Sequence, residues 1–121
     1  MSLKATERKS GDVIIVDLAG RLTLGEGSGT VRSTIKDLVA AKENKILLNL
    51  GGVTYVDSAG LGELVGSYAS VTNGGGQIKL LNVQAKVHDL LQVTKLYTVF
   101  QAYDNEDEAV RSFTKADGAA Q

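Results

Sequence analysis

Cysteine and proline are both absent from this chain of 121 residues. The absence of cysteine excludes disulfides, a zinc ribbon and a thiol nucleophile, and it is compatible with a reducing compartment. The absence of proline means that turns must be made by glycine, asparagine and aspartate, and 14 glycines are present. No apolar run approaches ~18 residues, so we predict no transmembrane helix. The polar N-terminus does not resemble a signal peptide, and we therefore expect a cytoplasmic protein.

A strong charge of one sign is missing as well. The 13 basic and 14 acidic side chains leave a formal net charge of −1. This balance gives no reason to expect nucleic acid or membrane insertion as part of the function. Apolar residues make up 43% of the chain, which is enough for a hydrophobic core in one domain. We expect that domain to span residues 1–116, followed by a flexible C-terminal tail over residues 117–121.

What the sequence does contain is an alternation of strand-like and helix-like segments. Leu3–Arg8 and Asp12–Gly20 alternate apolar and polar residues around Gly11, which predicts an N-terminal β-hairpin. Apolar runs predict three further strands, over residues 45–50, 77–83 and 98–103. Helical spacing of apolar residues predicts four helices, over about residues 29–41, 58–72, 87–91 and 105–115.

This order predicts an α/β fold with a small mixed β-sheet. The N-terminal hairpin is antiparallel, the later strands are parallel, and the helices are wound as successive βα turns. Two arrangements stay open, with the helices either all on one face or on both faces of a doubly wound sheet. Lys45–Leu50 is apolar enough to be a strand buried on both faces. Asn73 or Gly74 is suited to be the left-handed residue that ends the second helix.

Several patterns that could indicate catalysis lack a necessary partner. The glycine-rich stretch Gly25–Thr30 has no lysine for a phosphate loop, so we predict a flexible loop followed by a helix start. His88 is the only histidine, and the residues around Ser58 do not form the nucleophile motif GxSxG. No second histidine and no cysteine accompany His88 as metal ligands. We therefore expect no catalytic residue, no metal site and no cofactor.

The strongest candidate site is the segment VDSAGLG, Val56–Gly62, between a strand and a helix. In a purely structural interpretation, Asp57 or Ser58 caps the helix, while Gly60 and Gly62 allow a tight turn and close approach to the sheet. In a functional interpretation, Ser58 lies where backbone N–H groups and the helix dipole favour a negative group. A phosphate there would add about −1.5 to −2 charge to an exposed corner without unfolding the domain.

Three segments together resemble a STAS domain of the bacterial anti-sigma factor antagonist family. They are Ile14–Thr23, Lys45–Val83 and Val87–Val110, which cover nearly the whole chain. The most specific element is DSAGLG between an apolar strand and a helix that ends in glycines. The resemblance implies a compact sheet with helices wound as successive βα turns, and a regulatory protein that is not an enzyme.

The resemblance also implies partner switching. In this family the unphosphorylated antagonist binds an anti-sigma factor that is also a serine kinase, and the sigma factor is released. The kinase, which carries the ATP, then phosphorylates the serine after the motif aspartate, and a PP2C-type phosphatase restores the antagonist. Those two positions are Asp57 and Ser58 in this chain. The residues that the resemblance implicates in partner binding are Asp57, Ser58, Ala59, Gly60, Gly62, Arg21 and Thr23.

The chain departs from the family pattern just after the second predicted strand. Many antagonists have an acidic GELD-like element there, whereas this chain has GRLT, with Arg21 and Thr23. Arg21 adds positive charge near Ser58 and is a candidate to pair with Asp57 or with a phosphate. The alternative function is an unswitched STAS scaffold or regulatory subunit, stressosome-like or transporter-associated, in which Ser58 only caps a helix.

Overall fold

The computed structural model describes residues 3–119, which form a five-stranded sheet with four α-helices. The strands are β1 (Leu3–Ser10), β2 (Val13–Leu22), β3 (Lys45–Val56), β4 (Gln77–Leu81) and β5 (Ala102–Tyr103). The helices are α1 (Glu26–Ala40), α2 (Ser58–Asn73), α3 (Ala85–Thr94) and α4 (Glu106–Ala119). No helix within residues 3–119 is long and apolar enough to cross a lipid bilayer.

The sheet has the strand order β1-β2-β3-β4-β5, so each new strand lies beside the previous one. β1 and β2 are antiparallel, and the other neighbouring pairs are parallel. The hairpin turn contains Gly11 with a φ of +62°, a conformation that glycine adopts without strain. The predicted mixed α/β fold is therefore confirmed.

The helices divide between the two faces of the sheet. α1, α2 and α3 cover one face, where the core includes Ile46, Leu48 and Leu50 of β3. α4 covers the other face, where Phe113 packs with Leu47. The arrangement with all helices on one face was therefore wrong, since three helices lie on one face and one on the other. The strand order nevertheless runs in sequence and does not reverse as in a doubly wound sheet. Burial of Lys45–Leu50 on both faces is confirmed, because its apolar side chains alternate between the two cores.

An ion-pair network fixes the start of α4 to the N-terminal hairpin. One guanidinium nitrogen of Arg8, Nη2, donates to Asp17 Oδ1 at 3.0 Å and to Glu106 Oε1 at 2.8 Å. These hydrogen bonds from Arg8 are the main reason that the pKa values of both carboxyls are lowered. The side chain of Arg8 therefore connects β1 with both β2 and the first residue of α4.

Two element boundaries differ from the sequence prediction. α1 begins at Glu26, not near residue 29, so most of the glycine-rich stretch is helical and not a flexible loop. Its start has no side-chain cap that the sequence could have revealed. β5 has only two residues, because the 3₁₀ turn Leu96–Thr98 reaches into the strand predicted over residues 98–103 and residues 99–101 do not pair as a strand.

Helix α2 ends at Asn73 and is followed by a run of glycines. Gly74 has a φ of −83°, and the left-handed residue after α2 is Gly75 with a φ of +84°. The prediction of Asn73 or Gly74 for that role was wrong by one position, since several consecutive glycines are equally permissive.

Helix α4 includes residues 117–119, which we had expected in the tail, and residues 120–121 lie outside the described residues.

Candidate functional site at the start of α2

The candidate site lies where the carboxyl ends of β2 and β3 meet. The backbone N–H of Asp57, just after β3, donates to the carbonyl of Leu22 at the end of β2, with an N···O distance of 3.2 Å. The carbonyl of Asp57 then accepts the N–H of Leu61 at 2.9 Å, the first bond of α2. Parallel neighbouring strands therefore bring the start of α2 beside the loop that leads to α1.

The carboxylate of Asp57 holds two separate backbone segments. Its Oδ1 accepts the N–H of Gly60 at 2.8 Å, which makes Asp57 the N-cap of α2. Its Oδ2 accepts the N–H of Leu24 in the loop between β2 and α1 at 3.0 Å. These two hydrogen bonds, that from Gly60 first, lower the pKa of Asp57. Of the two residues that the sequence offered as the cap, the structure selects Asp57 and not Ser58.

Ser58 is the first residue of α2 and is exposed. Among the described residues, no group forms a hydrogen bond with its hydroxyl, because the neighbouring aspartate already caps the helix. A hydroxyl in this position is accessible to an enzyme that modifies it. A negative group attached to it would lie in the first turn of a helix, where the dipole is favourable.

The two glycines of the motif have different environments. Gly60 is buried, and a Cβ atom on it would lie 2.1 Å from the carbonyl oxygen of Leu22. Gly62 is exposed, and a Cβ atom on it would meet nothing within 4 Å. The prediction that the helix approaches the sheet closely is thus confirmed at Gly60. The same prediction for Gly62 was wrong. Residues two apart on a helix point in nearly opposite directions, which explains the difference. Ala59, between them, is half-buried.

Arg21 and Thr23 lie on the strand and loop beside Asp57. The guanidinium carbon of Arg21 lies 5.6 Å from the centroid of the exposed Tyr55 ring, within the range of a cation–π contact. Within residues 3–119 there is no ion pair between Arg21 and Asp57, so that suggested pairing was wrong. The carbonyl of Thr23 accepts the N–H and the hydroxyl of Ser28, both at 3.0 Å.

Two members of the site were missed by sequence reasoning, Leu24 and Tyr55. Leu24 enters through its backbone N–H, which any residue except proline carries, so its contact with Asp57 has no sequence signature. A large apolar side chain in a polar, glycine-rich loop was nevertheless visible in the sequence. His88 lies exposed on α3, and no group of three or more potential metal-ligating side chains occurs in the part of the chain that the structure describes.

The model of the STAS domain family matches residues 4–109. The chain belongs to the STAS domain family. An anti-sigma F factor antagonist of Paenibacillus polymyxa is 31% identical over 111 residues, which cover 91% of this chain and 94% of that protein. This STAS domain protein therefore falls among the anti-sigma factor antagonists.

Solved structures of antagonists have the same fold as this STAS domain protein. One from Mycobacterium paratuberculosis has a TM-score of 0.80 at 18% identity and covers 93% of this chain and 95% of its own. The Bacillus cell fate determinant SpoIIAA, solved in its phosphorylated form, has a TM-score of 0.71 at 19% identity. The match covers 90% of this chain and 98% of that chain. At these identities the structures establish the likeness of fold.

The first prediction concerns Asp57. We expect Asp57→Ala to unfold at lower urea concentration than the wild type, because the N–H groups of Gly60 and Leu24 both lose their acceptor. We also expect faster amide hydrogen exchange at Leu24, because its loop is no longer held to α2. Asp89→Ala, an exposed aspartate on α3, is the control for removing a carboxylate.

The effect of Asp57→Ala should depend on pH. The folded pKa of Asp57 is lowered from its ordinary value of 3.8, so its stabilisation is fully present above that value. It is lost as the pH falls through the folded pKa, and the variant and the wild type should then converge. Unchanged exchange at Leu24 in the variant at neutral pH would contradict the role assigned to this carboxylate.

Proposed function

We propose that this protein binds an anti-sigma factor while Ser58 is unphosphorylated and is released when Ser58 is phosphorylated. The observation that carries the proposal is that Ser58 is exposed in the first turn of α2 while Asp57 provides the cap. The hydroxyl is therefore available for modification without loss of the interaction that starts the helix. The names of the relatives support the same role, and SpoIIAA was solved in a phosphorylated form.

In this proposal the chain is a substrate and a binding protein, and the anti-sigma factor is the serine kinase. The Oγ atom of Ser58 attacks the γ-phosphorus of ATP held by the kinase, the new O–P bond forms, and the bond to the bridging oxygen breaks. The serine proton passes to a base of the kinase, and ADP leaves. A PP2C-type phosphatase reverses the modification by hydrolysis. All three proteins act in the bacterial cytoplasm.

The charge change explains why binding and phosphorylation exclude each other. A phosphate on Ser58 adds about −1.5 to −2 charge. The carboxylate of Asp57 is adjacent in sequence and is ionised at neutral pH, since its pKa is lowered. A surface that accepts the unmodified serine then faces at least two negative charges in a desolvated interface. The partner surface proposed here comprises Arg21, Thr23, Asp57, Ser58, Ala59, Gly60 and Gly62.

The competing function is an unswitched STAS scaffold or regulatory subunit. That function needs Ser58 only as a helix cap. The cap is Asp57, so capping does not account for a serine at position 58. The two functions differ in whether Ser58 becomes phosphorylated, which can be measured directly.

The second prediction is that phosphorylation occurs at one position. After incubation with ATP and the candidate anti-sigma kinases of the same genome, mass mapping should place the phosphate on Ser58. Ser67, on the same helix, serves as an internal control: it is 2% exposed and its Oγ donates to the carbonyl of Glu63 at 2.9 Å. Ser58→Ala should abolish the modification. A phosphate mapped to any other serine or threonine would refute the assignment.

A further inference from the structure

Three large apolar side chains are strongly exposed in the described part of the chain. They are Leu24 with 78%, Tyr55 with 47% and Val93 with 81% of the residue's maximal exposure. Leu24 and Tyr55 lie on the two segments that meet at Asp57, whereas Val93 lies on α3. Single exposed apolar residues are common on protein surfaces, so exposure alone does not make Leu24 a binding residue.

The backbone around Leu24 is fixed on both sides. Its own N–H is bonded to Asp57, and the preceding carbonyl, that of Thr23, accepts two hydrogen bonds from Ser28. The carbonyl of the following residue, Gly25, accepts the N–H of Gly29 at 2.9 Å. The loop therefore displays a leucine side chain to solvent from an ordered backbone. Less conformational entropy is lost on binding when the contacting segment is already ordered.

The position of Leu24 indicates what would cover it. A protein that phosphorylates Ser58 must reach the residue next to Asp57, and the same carboxylate holds the N–H of Leu24. A protein that binds at one of these two residues therefore lies beside the other. A second copy of this chain seated on Leu24 would obstruct access to Ser58, and the kinase could not act on the complex.

We propose that Leu24 is the main apolar contact of this protein with its anti-sigma factor and fills an apolar pocket of that partner. Asp57 is a positioning residue, because it holds the backbone that displays Leu24. This inference rests on the proposed function, since it names the contact through which the same partner is bound. Leu24 then makes the largest apolar contribution to the affinity, whereas the charge state of Ser58 decides whether the complex persists.

The test is titration calorimetry of purified variants against each anti-sigma factor encoded in the same genome. Leu24→Ser should weaken binding by about 10- to 100-fold, the range expected when a leucine side chain no longer becomes buried. Val93→Ser removes an equally exposed apolar side chain elsewhere and should stay within about twofold of wild type. Leu24→Met, which nearly conserves volume, should restore most of the affinity. Thermal melts of all variants should agree, because both positions are exposed.

The outcomes separate this inference from the function on which it rests. If Ser58→Asp weakens binding and Leu24→Ser does not, the role of Leu24 is overturned and the switch stands. If the wild-type protein binds none of the anti-sigma factors, both proposals are overturned. If Leu24→Ser converts a dimer to a monomer in sedimentation without loss of affinity for the anti-sigma factor, the occupant is a second copy and the inference is again overturned.

Discussion

Ser58→Asp is expected to weaken binding to the anti-sigma factor by about thirtyfold to several thousandfold, while Ser58→Ala binds like the wild type. The estimate corresponds to about 2–5 kcal/mol for a charge buried in an interface without a partner. The aspartate adds a negative charge beside Asp57, whose lowered pKa keeps it ionised at neutral pH. Titration calorimetry of both variants gives the two affinities, and Ser58→Ala should also resist phosphorylation.

Folding should hardly change in either variant. Ser58 is exposed and does not cap the helix, so removing its hydroxyl leaves no buried group without a partner. The new aspartate gains roughly 0.3–1 kcal/mol from the helix N-terminus, offset by repulsion from Asp57. Thermal melts recorded beside the titrations should therefore nearly coincide.

Ser70→Asp provides a matched control on the same helix. Ser70 is also exposed but lies twelve residues later, about 18 Å along the helix axis at 1.5 Å per residue. This variant carries the same added charge and should keep its affinity for the partner. Equal affinities for Ser58→Asp and Ser58→Ala would argue for an unswitched scaffold. Loss of folding in Ser58→Asp alone would contradict the exposed position of this side chain.

The second large effect is on stability and comes from Gly60→Ala. The added methyl group would lie 2.1 Å from the backbone oxygen of Leu22, and a backbone atom cannot move away as the end of a side chain can. The same oxygen accepts the N–H of Asp57, so relief of the clash would also disturb the start of α2. We expect a loss of about 3 kcal/mol in the free energy of unfolding, at the upper end of ordinary overpacking.

Gly62→Ala is the matched control for Gly60→Ala, because it makes the same substitution two residues away. Its methyl group enters open space, and alanine is the better helix former, so we expect a gain of about 0.5–1 kcal/mol. Urea unfolding of both variants gives the comparison. Equal stabilities for the two would show that the start of α2 does not press against β2 as closely as the structure places it.

The fold was largely predictable from the sequence, because each element buries a regular set of apolar residues. Val31, Ile35 and Leu38 recur at helical spacing and occupy one core, which is why α1 was found. Its first turn was missed because it lacks a capping side chain. The division of helices between faces was not predictable, since periodicity indicates which face of an element is buried but not the side of the sheet on which it packs.

The candidate site was predictable in its motif but not in its internal contacts. Asp57 and Ser58 could both be singled out, because an acid and a hydroxyl at a strand-to-helix junction are visible in the sequence. The bond between Asp57 and Leu24 spans 33 residues and uses a backbone donor, so no local pattern contains it. The neighbour of Arg21 was likewise set by the tertiary structure, which places the guanidinium over Tyr55. Within residues 3–119 no ion pair includes Arg21.

The position of α4 has a practical consequence for testing the proposed partner exchange. α4 packs on the face of the sheet opposite to α2, and Arg111 on it is exposed. Since the 121-residue sequence contains no cysteine, Arg111→Cys would introduce a single thiol that a fluorescent dye can label selectively. A dye at this position is attached to the helix on the face of the sheet opposite to α2. Fluorescence anisotropy of the labelled protein would then test the proposed capture and release by the kinase in real time, with the proposed partner surface left unaltered.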